Sequence, residues 1–156
     1  MIRGAAVAVL LAAACASGGP VAAEEGATVV FETVLDEAYS GLDEGLREAI
    51  RTEGRWAELW GQIHRRVSPR PPLPPVDFSR EMLIAAAAGT RRSSGFDIVV
   101  HGVTLRAGRL EVEILETCPE PGARAGMALT QPVEVVRLAS LTQAPVFREA
   151  KAPSCE

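Results

Sequence analysis

Apolar and polar positions along the chain follow three rhythms, and each predicts a different element. Trp56, Leu59, Trp60 and Ile63 fall at i, i+3, i+4 and i+7, one face of a helix. Thr52 suits its N-cap, Glu53 its first turn, and Arg65 and Arg66 its last. So short a helix depends on tertiary packing. The two tryptophans supply it, since each ring can bury roughly 200 Å². Core packing is preferred over ligand stacking because the stripe continues through Leu59 and Ile63.

A period of two runs through Phe96, Ile98 and Val100, and again through Leu110, Val112 and Ile114. The intervening "RAGR" is a tight-turn signal, so the pair predicts a β-hairpin. Residues 28–35, 130–139 and 144–150 predict further strands, with Pro132 near a strand start where a missing N–H does least harm. The third rhythm is no alternation at all. "EMLIAAAAG" is a short continuous apolar run between a proline-rich entry and Gly89. It predicts a strand buried on both faces, with small residues that let the tryptophan helix pack closely. Residues 36–54 leave two readings open. Leu42, Leu46 and Ile50 suggest a helical face, while Gly41, Gly45 and Gly54 favour a loop and a short strand at 46–51.

Five prolines between 69 and 75 make an extended connector. It has the look of an SH3 ligand, but a stiff link from helix to strand accounts for it more simply. The predicted fold is α+β: a small, mostly antiparallel sheet of five or six strands with one short Trp-bearing helix packed on it. Its expected core is Trp56, Leu59, Trp60, Ile63, Phe78, Ile84, Phe96, Ile98, Val100, Leu110, Val112 and Ile114.

The N-terminus changes the picture of where the protein works. Arg3, an apolar stretch from Ala5 to Ala14 and a Gly18-Gly19-Pro20 turn have the layout of an export signal. The stretch is well short of the roughly 20 residues of a spanning helix. Cleavage after Ala23 would release a free domain over 24–156. Alternatively, "LLAAAC" resembles a lipobox, which would remove residues 1–14 and lipidate Cys15, although Ala12 stands where Leu is usual. Either route leads to the periplasm or cell envelope, the second as an outer-membrane lipoprotein. With Cys15 removed or lipidated, Cys118 and Cys155 are left as one disulfide candidate, the alternative being two unpaired thiols.

Charge narrows the partners. The formal net charge is −4, and loss of residues 1–23 takes away one cation and no acid, giving −5. No basic stripe exists for nucleic acid. Only two histidines occur, His64 at the expected polar end of the helix and His101 on an outward strand face. No G-x-S-x-G elbow, H-x-x-x-H pair or phosphate-loop ending accompanies them, so no catalytic, cofactor-binding or metal-ligating set is assigned. Asp77 and Ser79 suit a turn out of the proline connector, with Phe78 anchoring it. The loop Arg91, Arg92, Ser93 and Ser94 is the candidate partner contact. The alternative is a small-molecule binder or small hydrolase using His64 or His101.

Several of these pieces together resemble the C-terminal domain of the protease complex subunit PrcB family. They are the Trp56/Trp60 pair, "P-x-V-D-F-S" at 74–79, the small-residue strand ending at Gly89 and "LTQP" at 129–132. The resemblance covers 55–147. It departs at Ser94-Gly95-Phe96, where the family often has two glycines and a tyrosine. The resemblance implies an exported protein partner, such as a secreted serine protease that the domain stabilises, with no catalytic residues of its own.

Overall fold

The computed structural model describes residues 26–122, 124 and 126–155. The expected export signal and the lipidation candidate Cys15 lie outside them. In chain order the elements are β1 (Phe31–Glu37), β2 (Gly45–Ile50), α1 (Glu53–Ile63), β3 (Glu81–Ala88), β4 (Asp97–Arg106), β5 (Arg109–Thr117), β6 (Val133–Ala139) and β7 (Pro145–Lys151), closed by a 3-10 turn at Pro153–Cys155.

The architecture is mostly β, with three layers instead of the expected helix on one sheet. An antiparallel sheet β1-β6-β3-β2 lies in the middle. Helix α1 covers one face, and a second sheet, β4-β5-β7, covers the other. The physical reason lies in β3 and β6, which are apolar on both faces. Leu83, Ala85, Ala87, Val133 and Val135 pack against the helix. Met82, Ile84, Ala86, Val136 and Leu138 pack against Ile98, Val100, Val103, Leu110, Val112 and Ile114 of the second sheet. One helix can cover only one side, so the β4–β5 hairpin must fold over the other.

Among the described residues seven strands form, not five or six. The ambiguous region 36–54 resolves as a loop followed by β2, paired with β3 from Gly45↔Ala88 to Ile50↔Leu83. β7 runs parallel to β5 because the chain leaves β6 and crosses to the other sheet before entering it.

Helix α1 starts where Thr52 Oγ1 accepts the Arg55 N–H at 3.3 Å. It buries the expected face of Trp56, Leu59, Trp60 and Ile63. Arg65 and Arg66 lie beyond its end, not in its last turn. The proline connector lies over the tryptophans. Its Pro74 and Pro71 carbonyls accept the indole N–H groups of Trp56 and Trp60 at 3.1 and 2.9 Å. A polyproline-like segment has free carbonyls, so it satisfies both buried indoles without a sheet partner.

Two expected core residues differ. Phe96 precedes β4 and is only half-buried, its ring facing the Arg91 guanidinium carbon at 5.9 Å. Phe78 is also half-buried, packed at the edge of the helix-side cluster. The β4–β5 hairpin turns at Ala107-Gly108, both at positive φ, as the tightest hairpin turn requires.

Three fastenings hold the layers in place. Residues 26–29 bridge to β4 (Val29 N–H to Val103 O, 2.8 Å) before the chain passes to β1 in the other sheet. On the opposite side, Arg47 meets Glu149 of β7 at 2.9 Å, and Arg51 donates to the carbonyls of Leu141 and Gln143. In the middle, the buried Glu134 accepts from Thr33 Oγ1 of β1 at 2.9 Å and from the Val100 N–H of β4 at 2.6 Å. That N–H sits beside a bulge between Val100 and Gly102, where His101 is the extra residue.

Cys118 and Cys155 form a disulfide across 37 residues, tying the C-terminus to the end of β5. Closing a loop of that length stabilises by about 4 kcal/mol in the chain-entropy model. Cys118→Ser with Cys155→Ser should therefore lower the unfolding free energy by up to about 4 kcal/mol in urea titrations. An unchanged midpoint would mean that the link restrains only a fraying end. A second comparison concerns two glycines. A Cβ on Gly41 would lie 2.2 Å from the Gln62 carbonyl oxygen, whereas one on Gly54 would meet nothing within 4 Å. Gly41→Ala is expected to destabilise by about 1–3 kcal/mol through overpacking. Gly54→Ala is expected to stabilise by about 1 kcal/mol through helix propensity. Thermal melts of the two variants check both signs.

Candidate functional site

One end of the molecule is built from four pieces of irregular chain: the loop after β1, the turn after α1, the loop after β3 and the segment before β6. Backbone bonds lock them together. Ser40 N–H donates to Gln131 O at 3.2 Å, and Gln131 N–H to Ala38 O at 2.9 Å. Arg91 and Thr130 exchange two backbone bonds at 2.8 and 3.0 Å. Gly41 N–H donates to Ile63 O at 2.6 Å, seating the first loop against the helix end. The buried Ser40 hydroxyl donates to Gln131 O at 2.8 Å and accepts the Leu42 N–H.

Between these pieces lies a cleft of about 450 Å³, lined by Tyr39, Ser40, Asp43, Ile63, Arg66, Val67, Thr90, Leu129 and Gln131. Tyr39, Val67 and Leu129 are 61%, 49% and 59% exposed. They account for three of the five large apolar side chains left exposed among the described residues. Asp43 sits on the rim and takes both Arg65 and Arg66, the latter at 2.7 Å. The hydrogen bond from Arg66, followed by that from Arg65, holds the Asp43 carboxyl below the usual carboxylate range. A neighbouring cleft of about 420 Å³ shares Asp43 and lies on its Arg65 side.

The four expected contact residues prove unequal. Arg91 is spent on the frame. Its guanidinium grips Glu116 at 2.6 and 2.8 Å as well as facing Phe96. Ser94 bonds Gly126 in both directions, accepting at its hydroxyl at 2.7 Å and donating its N–H at 3.0 Å. Ser93 lends its carbonyl to Thr130 Oγ1 at 2.9 Å. Arg92 is exposed and makes no side-chain bond among the described residues. The cleft itself escaped the sequence reading. Its signal was present as apolar residues at 39, 67 and 129 that match no strand or helix period and sit beside Ser, Pro or Thr.

The two histidines are not brought together. His64 is buried rather than at a polar end, with its ring centre 4.1 Å from that of Trp60. Its Nδ1 lies 3.1 Å from the Trp60 carbonyl, which can only accept, so Nδ1 carries the proton. Its Nε2 lies 3.5 Å from Glu37 Oε1 without a hydrogen bond. His101 is exposed on the outer face of the three-stranded sheet, beside Glu113 and Arg148 in a shallow hollow of about 350 Å³. The helix layer and the middle sheet separate the two rings from any shared pocket. Among the described residues, no three His, Cys, Asp or Glu side chains are arranged to hold a metal ion. No helix among them is long and apolar enough to cross a membrane. Asp77 has a local role: its Oδ1 accepts from the Ser79 N–H and hydroxyl at 3.1 and 2.5 Å, fixing the turn into β3.

No curated protein and no solved structure matches the chain. A family model does. Its span begins in β3 and ends in β6, taking in the bulged hairpin, Glu134 and the Arg91–Thr130 bridge. Residues 82–139, a little over a third of the chain, match the family described as PrcB C-terminal, and over that stretch the chain is PrcB-like.

Proposed function

We propose that the chain is an exported, non-catalytic binding module of the cell envelope that associates with and stabilises a secreted protease, or another exported protein. The observation that carries this reading is how the polar groups are used. The buried ones, among them Ser40, His64 and Glu134, sit within hydrogen-bonding or ring contact of the frame. Arg92 and the apolar cleft rim remain outward at the loop end. Exposed arginine and aromatic or aliphatic side chains are what protein interfaces use. The family match supports a protease complex as the setting. The N-terminal pattern supports export, with release after Ala23 or lipidation at Cys15, and a disulfide between Cys118 and Cys155 suits an oxidising compartment.

The test is co-purification of the tagged full-length protein from its own cell envelope after gentle crosslinking, with an untagged control. A stoichiometric exported protein, a serine protease above all, is the expected result. Arg92→Glu should reduce its recovery several-fold, while His101→Gln should leave recovery and cell phenotype unchanged. A His101→Gln phenotype with no partner recovered would point instead to a small-molecule or hydrolytic role. Arg91→Glu would be uninformative here, because it breaks the Glu116 pair and disturbs the frame.

A further inference from the structure

The proline connector between α1 and β3 uses two of its three edges inside the fold. A polyproline helix repeats every three residues, so residues at that spacing share an edge. Leu73 and Val76 share one, and both pack against the helix-side core. Pro71 and Pro74 share the next. Both are half-buried, and their carbonyls hold the indole N–H groups of Trp60 and Trp56 at 2.9 and 3.1 Å. Pro69, Pro72 and Pro75 share the third, and all three are exposed. Their carbonyls accept no hydrogen bond among the described residues.

The link from helix to strand does not call for prolines on that outer edge. Pro71 and Pro74 already bias the residues before them, Arg70 and Leu73, to extended backbone. The carbonyls that satisfy the tryptophans also belong to the other edge. What the outer prolines add is a ridge of rigid rings about 9 Å apart, three residues at 3.1 Å of rise each. Arg70 stands beside this ridge and is the one charged side chain between 67 and 76. It is exposed and lies over Gly61 of α1, its Nη1 3.5 Å from where a Cβ would stand. It makes no hydrogen bond or ion pair among the described residues.

We propose that the ridge Pro69–Pro72–Pro75 is a docking surface for a partner protein whose groove is lined by Tyr or Trp rings and carries an Asp or Glu at the Arg70 end. The inference rests on the reading of the chain as a binding module and adds a surface distinct from the loop end. The partner's rings stack on the outward prolines, and their O–H or N–H groups donate to the free carbonyls. The carboxylate takes the unpaired guanidinium. Aromatic-lined grooves recognise polyproline segments in this way. Here the two indole bonds hold the segment in its bound shape beforehand, so little ordering accompanies binding.

The experiment uses the full-length protein and three purified polyproline-reading domains as probes: one SH3, one WW and one EVH1 domain. Binding is measured by titration calorimetry. At least one probe should bind, and about tenfold more weakly to Pro72→Ala with Pro75→Ala and to Arg70→Glu. Arg70→Glu keeps every proline, so its loss separates charge from stiffness. Unchanged indole N–H resonances of Trp56 and Trp60 show that the connector stays seated in each variant. Arg92→Glu, at the loop end, should leave probe binding as it is. No binding by any probe, or binding that survives the double proline variant, would overturn the proposal. In the cell envelope, the protein recovered with the tagged wild-type chain should fall about tenfold with the double proline variant. Equal recovery would overturn the ridge and leave the binding-module reading standing, whereas recovery of no protein by the wild type would overturn both.

Discussion

The structure depends on a strand that has no solvent face. From Met82 to Ala88, every residue of β3 is buried. Alternate side chains go to opposite cores, so the strand sets the thickness of both. On the helix side Ala85 and Ala87 give α1 room for two tryptophans. On the other side Met82 and Ile84 are larger, and the hairpin of β4 and β5 packs over them. Replacing either alanine pair by large residues would push a whole layer outward, because both neighbours are close-packed. β2 and β6 flank the strand, so most of the fold is placed by its contacts with β3.

A three-layer stack needs its open sides closed, and here the closures are polar. Glu134 is the central one. It points from β6 into the inter-sheet space and bonds β1 and β4 at once. A bulge disrupts the ladder beside Val100, and a carboxylate acceptor is a strong replacement for a ladder carbonyl. Arg47 and Arg51 do the corresponding work at the β2–β7 side. Arg55 grips both oxygens of Glu48 at 2.7 Å, tying α1 to β2. These groups are the kind a search for catalysis would examine first. Their hydrogen bonds go to backbone and partner side chains of the frame.

The sequence made some of this legible and hid the rest for physical reasons. The helix is visible because a strand would split its stripe, with Trp56 and Trp60 on one face and Leu59 and Ile63 on the other. The β4–β5 hairpin is visible through alternation around "RAGR". β3 reads as doubly buried because a continuous apolar run of that length leaves no residue for a wet face. Double burial already implies two covers, yet only the helix is identifiable as one. The second sheet stays hidden because period-two alternation shows that a face is buried and not against what. Phe96 enters the expected core only by extending the alternation one residue too far. The actual strand starts at Asp97, and the bulge at His101 changes the phase again before Val103. Glu134 stands out as a lone acid inside "VEVVRL", but its partners are 101 and 34 residues away. The cleft is the least legible of all, since it is assembled from four loops whose packing no local pattern encodes.

That last point bears on how a small, mostly β protein can carry an ordered cleft without disturbing its core. Loops of this length would be mobile if they were attached only at their ends. Here the fold bonds them to each other. Gln131 joins the end of β1 to the start of β6, Arg91 joins the exit of β3 to Thr130, and Gly41 brings the first loop within touching distance of the helix end. Gly41 is the sharpest constraint, because any side chain there would collide with the Gln62 carbonyl. Each bond uses backbone groups, so the rim side chains at 39, 67 and 129 have no part in holding the loops. They can change while the cleft keeps its shape. The surface is thus separated from the frame: backbone bonds fix where the cleft is, and a few rim side chains fix the chemistry of its wall.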